Sequence, residues 1–312
     1  MRYCRTKSGY NSALSVAAER FVSISTPQSN GFGTLYVVAT PIGNLEDISA
    51  RALRVLAEVS LIAAEDTRHS SRLLQHFAIR TPLAACHEHN AREEGGRFIT
   101  RLLAGDDIAL ISDAGTPLIS DPGYHLVRQA RAAQVQVVPV PGACALIAGL
   151  SVAGLPSDRF VFEGFLPAKQ VARCARLEAV RNDPRTLIFY EAPHRVLASI
   201  ADMRDIFGAE RHAVLARELS KAFETVCDLP LQELHDWVAA DANQQRGECV
   251  VLVAGYQIPK DALEVPLEAQ RVLELLRVDL PLKRAAALAA EITGARKNAL
   301  YQWALDNKSA EG

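Results

Sequence analysis

The 312-residue chain is poor in the features that mark most specialised proteins. Its six cysteines (Cys4, Cys86, Cys144, Cys174, Cys227 and Cys249) are scattered, with no CxxC pair. That excludes a zinc ribbon and a disulfide scaffold, and it suits a reducing compartment. No run reaches the roughly 18 apolar residues that a membrane-spanning helix needs, so no membrane partner is expected and the cytoplasm is the expected location. With 34 Lys and Arg against 36 Asp and Glu, the formal net charge is only −2. A polyanion partner would therefore have to use a local basic patch. There is no Walker A sequence, no GxSxG elbow and no HExxH helix. Gly31 and Gly33 precede the first predicted strand and lack a third glycine, so they are not a dinucleotide fingerprint. His87 and His89 share a strand face, but no third or fourth ligand stands out near them. No metal is expected.

What remains is an α/β pattern. Hydrophobic residues make up 49% of the chain, enough for a sizeable core, and the length suggests two domains. From residue 35, short apolar strands (35–40, 61–64, 82–87, 108–112 and 135–140) alternate with helical periodicity, which implies βαβ units and a parallel sheet. After a break near 154–158, strands resume at 160–163, 186–191, 213–218 and 248–254. Residues 267–306 read as helices only, with Gly294 as a helix stop. The expected organisation is a flexible N-terminal extension (1–33), an N-terminal α/β domain (34–155), a C-terminal α/β domain (156–256), and a linker with C-terminal helices (257–312). The extension is Ser-rich and basic, and it lacks the continuous apolar core of a secretory signal.

Residues 112–123 read Ser-Asp-Ala-Gly-Thr-Pro-Leu-Ile-Ser-Asp-Pro-Gly. Two glycines, two prolines and two aspartates directly after an apolar strand are too much turn chemistry for a plain connector. In an open α/β sheet, ligands bind outside the carboxyl ends of the strands. Ser112, Asp113, Ala114, Gly115 and Thr116 are thus candidates to hold a ligand, together with Pro141, Gly142 and Ala143 after the fifth strand. Two basic groups also stand out: Lys169, Arg173, Arg176, Arg181 and Arg185, and further on Lys283, Arg284, Arg296 and Lys297. Each fits either a solvated helix face or an RNA-phosphate patch.

Several motifs point one way together: Ala-Thr-Pro-Ile-Gly-Asn-Leu at 39–45, Glu-Asp-Thr-Arg at 65–68, the 112–123 loop and Pro-Gly-Ala-Cys-Ala at 141–145. Phe-Glu-Gly-Phe-Leu-Pro at 162–167, Phe-Tyr-Glu-Ala-Pro-His-Arg at 189–195 and Arg-Glu-Leu-Ser-Lys at 217–221 add to them. Over residues 34–306 the chain resembles the tetrapyrrole-methylase superfamily, and within it the bacterial small-subunit rRNA (cytidine-2′-O-)methyltransferases. The resemblance implies S-adenosylmethionine as methyl donor, bound between two α/β domains, a homodimer, and a decoding-centre cytidine of 16S rRNA within the 30S subunit as substrate. Tetrapyrrole enzymes usually carry a GxGPGD-like loop after the first strand. Here 39–44 departs from it, which favours the RNA branch. Ala143 stands where the family more often has proline.

On this resemblance Leu166, Tyr190 and Glu248 would close the cofactor site from the second domain. A ribose hydroxyl is a poor nucleophile until a base takes its proton. Candidates for that base, or for orienting the hydroxyl, are Glu65, Asp66, Glu191, His194, Glu218 and Lys221. Arg68, Arg195 and Arg217 could hold phosphates. An interdomain ion-pair network is the other reading of these charges. A tetrapyrrole methyltransferase and a catalytically silent cofactor-binding ribosome-assembly module are the competing functions.

Overall fold

The computed structural model describes residues 31–86, 93–121, 123–257 and 265–307. The expectations for residues 1–30, for His87 and His89, and for most of the 257–266 linker lie outside the described residues. Two compact units emerge. The first comprises residues up to 152 together with 216–226 and 247–250; the second comprises 153–215, 227–246 and the residues from 251 on.

In the first unit five strands, β1 (Thr34–Val38), β2 (Leu61–Ala64), β3 (Leu83–Ala85), β4 (Ile108–Ile111) and β5 (Gln136–Val140), form one sheet in the order β3-β2-β4-β1-β5. All pairings are parallel. Helices α1 (Ala50–Glu58), α2 (Thr67–His76), α3 (Glu93–Leu103), α4 (Tyr124–Ala132) and α5 (Ala145–Val152) complete it. β2 and β4 are apolar at every position because both faces of a parallel sheet are covered. Ile108 and Leu110 pack with Phe98, Leu102 and Leu126. Their neighbours Ala109 and Ile111 point the other way, to Val55, Leu56 and Leu74, as the two-residue period of a strand requires. Pro139 is tolerated because β5 is an edge strand. This arrangement puts the chain segments after β1, β2, β4 and β5 on one sheet edge.

The second unit is built on β6 (Phe160–Phe165), β7 (Thr186–Glu191), β8 (His212–Arg217), β9 (Thr225–Pro230) and β10 (Cys249–Val253), in the order β6-β7-β10-β8-β9, with α6 (Gln170–Val180), α7 (Val196–Phe207) and α8 (Leu231–Ala240). The expected α/β class is what the chain adopts. β9 was not foreseen: it is an edge strand with no sustained hydrophobic pattern, and tertiary pairing rather than local pattern decides it. The C-terminal helices are α9 (Leu267–Arg277), α10 (Leu282–Thr293) and α11 (Lys297–Asp306). α10 ends at Gly294, with φ at 72°.

In the basic run at 169–185, acids of the same unit meet most of the positive charge. Arg173 is 6% exposed and its Nε donates to Asp202 at 2.6 Å. Gln170 donates to the other Asp202 oxygen at 2.9 Å. Arg176 pairs with Glu163 at 2.6 Å, Arg181 with Glu178 at 3.7 Å and Arg185 with Asp183 at 2.6 Å. Four of the five cations are answered by acids of the same unit. Losing one partner of a buried pair leaves an uncompensated charge, at a cost of about 3–5 kcal/mol, whereas replacing both by apolar groups is often neutral. Arg173→Ala should therefore lose about 3–5 kcal/mol in urea denaturation. The double variant Arg173→Met/Asp202→Leu should recover most of that loss.

Candidate functional site

The edge of the first sheet is knit by its own backbone. Thr40 and Gly115 form an isolated antiparallel bridge, with Thr40 N donating to Gly115 O at 2.9 Å and Gly115 N to Thr40 O at 3.1 Å. The Thr40 hydroxyl donates to Ser112 O at 3.2 Å, and the Ser112 hydroxyl approaches Gly115 O at 3.4 Å. Thr40 and Ser112 are 2% and 3% exposed. The Thr116 hydroxyl donates to Ala143 O at 3.0 Å. Three strand-end segments are thus locked together.

Gly115 sits at φ 86°, and a Cβ there would stand 3.3 Å from Ile42 Cγ2 and 3.7 Å from Ala143 O. Farther along, Leu118 and Ser120 also take left-handed backbone, at φ 74° and 66°. Non-glycine residues rarely do so, and such strain clusters at functional loops.

Acidic groups converge on the same loop. Asp113 Oδ1 accepts the Asp66 N–H at 3.1 Å, joining the ends of β2 and β4. The Asp66 carboxylate caps α2 by accepting from Arg68 N at 2.8 Å. That bond holds its pKa below the ordinary value against a smaller effect of burial. Glu65, at the end of β2, is half-buried, and Arg68 is exposed. Asp121, which motif reading passed over, is half-buried and held above the ordinary carboxylate value. Burial is the main cause, the Ser112 hydroxyl opposes it, and the charge on Asp113 adds to it. The trace of this in the sequence is the second aspartate of the loop.

Residues 216–226 and 247–250 contribute a second cluster to this unit. Lys221 Nζ donates to Glu218 Oε1 at 2.8 Å and to Glu248 Oε2 at 2.9 Å. Glu218 Oε1 also accepts the Glu248 N–H at 3.0 Å. Burial alone would lower the Lys221 pKa, but the two carboxylates outweigh it and hold the amine above the usual lysine value. Burial pushes Glu218 up, and its bonds to Lys221 and Glu248 bring it down further than that. The Lys221 stem runs against Gly43, where a Cβ would overlap its Cγ. Beside these groups Ile42, Ala143, Val152, Leu219, Ser220 and Glu224 line a cavity of about 380 Å³. Ser220 is left-handed at φ 62°, and its hydroxyl is buried with no hydrogen-bond partner among the described residues.

Of the residues put forward from the sequence, Ser112–Thr116, Pro141–Ala143, Glu65, Asp66, Lys221 and Glu248 all fall in the first unit. Arg68, Arg217 and Glu218 fall there too, whereas Leu166, Tyr190, Glu191, His194 and Arg195 lie in the second. Leu166 is buried, and Tyr190 packs edge-on between Phe162 and Phe165 at 4.8 and 5.6 Å. His194 is exposed in a turn. Glu191 is fully enclosed. Its Oε1 takes the Ala192 N–H at 2.8 Å and Arg195 at 2.6 Å, and its Oε2 takes the Ser199 hydroxyl at 2.5 Å. Glu191 secures the start of α7 and is withdrawn as a candidate base. Arg195 is partly exposed, with one guanidinium nitrogen spent on Glu191 and its buried Nε without a hydrogen-bond partner among the described residues.

Residues 34–235 match the family model for Tetrapyrrole (Corrin/Porphyrin) Methylases. The chain belongs to the tetrapyrrole methylase family. In this tetrapyrrole methylase, residues 264–308 also match a model described as the RsmI C-terminal HTH domain. A protein of Pseudomonas aeruginosa named Ribosomal RNA small subunit methyltransferase I is 75% identical over 276 residues, covering 88% of this chain and 98% of that protein. A Vibrio cholerae protein of the same name is 57% identical over 280 residues, covering 89% and 96%. A uroporphyrin-III-C-methyltransferase structure from Thermus thermophilus shares the fold at a TM-score of 0.52 and 19% identity, over 71% of this chain and 94% of that one.

Because Asp121 binds its proton more tightly folded than unfolded, its favourable contribution is full below the ordinary value of 3.8 and is lost as pH rises through the folded value. Asp121→Asn should therefore raise Tm at pH 7 relative to the parent, and the gap should close as the pH approaches 3.8. Calorimetry across that range checks the sign.

Proposed function

We propose that this tetrapyrrole methylase is a small-subunit rRNA methyltransferase that moves a methyl group from S-adenosylmethionine to the ribose 2′-oxygen of a decoding-centre cytidine. We further propose that it acts as a cytoplasmic homodimer on the 30S subunit. The observation that carries this reading is near-full-length similarity to proteins named for small-subunit rRNA methylation. The local chemistry supports the choice of donor. The loop at the ends of β1, β4 and β5 offers bare left-handed backbone at Gly115, and an acidic pair, Asp113 and Asp121, suited to a cation. The residues that would hold the donor are Ser112–Thr116 and Pro141–Ala143, with Leu166, Tyr190 and Glu248 as the resemblance implies.

When bound, S-adenosylmethionine supplies an electrophilic methyl group on a good leaving sulfur, and no covalent enzyme intermediate is needed. The chain's own work is positioning, which contributes up to about 7–11 kcal/mol in favourable cases, and removal of the hydroxyl proton. Lys221, held between two carboxylates, is a cation at neutral pH and does not take that proton. Glu191 is enclosed, and Asp66 is committed to the cap of α2. We assign Glu65 to the hydroxyl on its place: it is half-buried at the end of β2, next to Asp66, whose N–H bonds Asp113 of the donor loop.

The test is transfer of labelled methyl from S-adenosylmethionine to unmodified 30S subunits, followed by nuclease digestion. Label on a cytidine ribose is the expected result. Label accepted only by a tetrapyrrole precursor, or donor binding without any transfer, would overturn the reading. Gly115→Ala should weaken donor affinity at least tenfold by calorimetry in protein that circular dichroism shows to be folded. Glu65→Gln should lower kcat by about 10²–10⁴-fold, the usual worth of a general base, with donor affinity retained.

A further inference from the structure

The second basic group of the sequence has no part in the site above, and its surroundings differ from those of the α6 run. The helices α9, α10 and α11 close around Ala269, Leu273, Ala285, Ala286, Ala289, Leu300 and Ala304, all fully buried. The small side chains let α10 and α11 approach closely, and the turn at Gly294 sends α11 off at once. With Leu300 and Ala304 committed to the core, α11 exposes Asn298, Tyr301, Gln302 and Leu305. Their spacing of i, i+3, i+4 and i+7 makes one continuous stripe. Three of the four carry neutral hydrogen-bonding groups, and Tyr301 adds an aromatic face.

The cations lie at the helix starts. Lys283 and Arg284 are in the first turn of α10, and Arg296 and Lys297 open α11; all four are exposed. None has an ion pair among the described residues, in contrast to Arg277 beside them, which pairs with Glu274 at 2.6 Å. Neither helix carries an acid in its first turn. The first turn is where the helix dipole disfavours positive charge, and among the described residues no acid offsets it. An external anion would. The two pairs are separated by the length of α10, about 18 Å at 1.5 Å per residue. That is too far for one phosphate and suits an extended backbone.

We infer that this face of α10 and α11 docks RNA: the four cations engage backbone phosphates, and the Asn298–Tyr301–Gln302 stripe meets exposed bases or ribose hydroxyls. The inference rests on the reading of the protein as an rRNA methyltransferase and deepens it, placing a substrate-holding surface outside the first unit. A lipid surface is disfavoured because the stripe is polar.

The test uses the full chain and unmodified 30S subunits, with a duplex DNA of arbitrary sequence as control. In the quadruple variant Lys283→Gln/Arg284→Gln/Arg296→Gln/Lys297→Gln, affinity for the subunits should fall at least tenfold. The slope of log K against log salt should shrink by about 3, at roughly 0.7 per phosphate contact. KM for subunits should rise while S-adenosylmethionine affinity does not move. Tm should hold or increase, since charges leave unfavourable positions. Tyr301→Ala should weaken subunit binding, with Tyr301→Phe retaining part of it. Unchanged affinity and salt slope in the folded quadruple variant would overturn the surface even if the parent methylates rRNA. So would tighter parental binding to the duplex DNA than to subunits. If the parent binds subunits through these residues yet transfers no methyl group, the surface stands and the enzymatic reading falls.

Discussion

The first unit depends on one small interaction, the two-hydrogen-bond bridge between Thr40 and Gly115. Parallel strands end with open carbonyls and diverging chains, so a sheet edge is not a site until something holds its loops. Here the bridge joins the ends of β1 and β4, the Thr40 hydroxyl fastens Ser112, and Thr116 carries the tie to Ala143 after β5. The bridge also holds residue 115 in the left-handed region, where a Cβ would crowd Ile42 at 3.3 Å. The left-handed Leu118 and Ser120 continue the loop beyond it. Rigid placement, rather than an unusual side chain, is what this edge offers a donor.

Charge is distributed by a consistent logic. Where cations sit inside a unit, acids answer them: Asp202 for Arg173, Glu191 for Arg195, and Glu218 with Glu248 for Lys221. These networks hold helices and loops in place. The exceptions are informative. Asp113 and Asp121 bring two negative groups to one loop, and the starts of α10 and α11 gather four cations with no ion pair among the described residues. The first excess suits a cation, the second a polyanion. A net charge near zero hides both, because they lie in different parts of the chain and cancel in the sum.

Much of the fold was legible because its periods are local. The apolar runs at β2 and β4, the alternation of strand and helix, and the stop at Gly294 are properties of a few consecutive residues. β9 was not legible: Thr-Val-Cys-Asp-Leu-Pro has no sustained hydrophobic pattern, and it becomes a strand by pairing at a sheet edge. The loop at 112–123 announced itself through its turn residues, yet Asp121 did not stand out from Asp113, since burial and a neighbouring charge are not written in the identity of a residue. Nor could the α6 arginines be told from a phosphate patch without Asp202, which lies 29 positions away.

The sequence by itself determined the α/β class, the family, and the strand-end segments that carry the candidate donor loop, because each is encoded by short-range pattern. Tertiary structure alone decided which charged residues are spent on the fold and which face outward. Glu191 and Arg173 look as functional as Glu65 and Arg296 when read along the chain. Whether a charge is paired depends on groups brought close from distant positions, and desolvation then settles whether it supports the fold or serves a ligand.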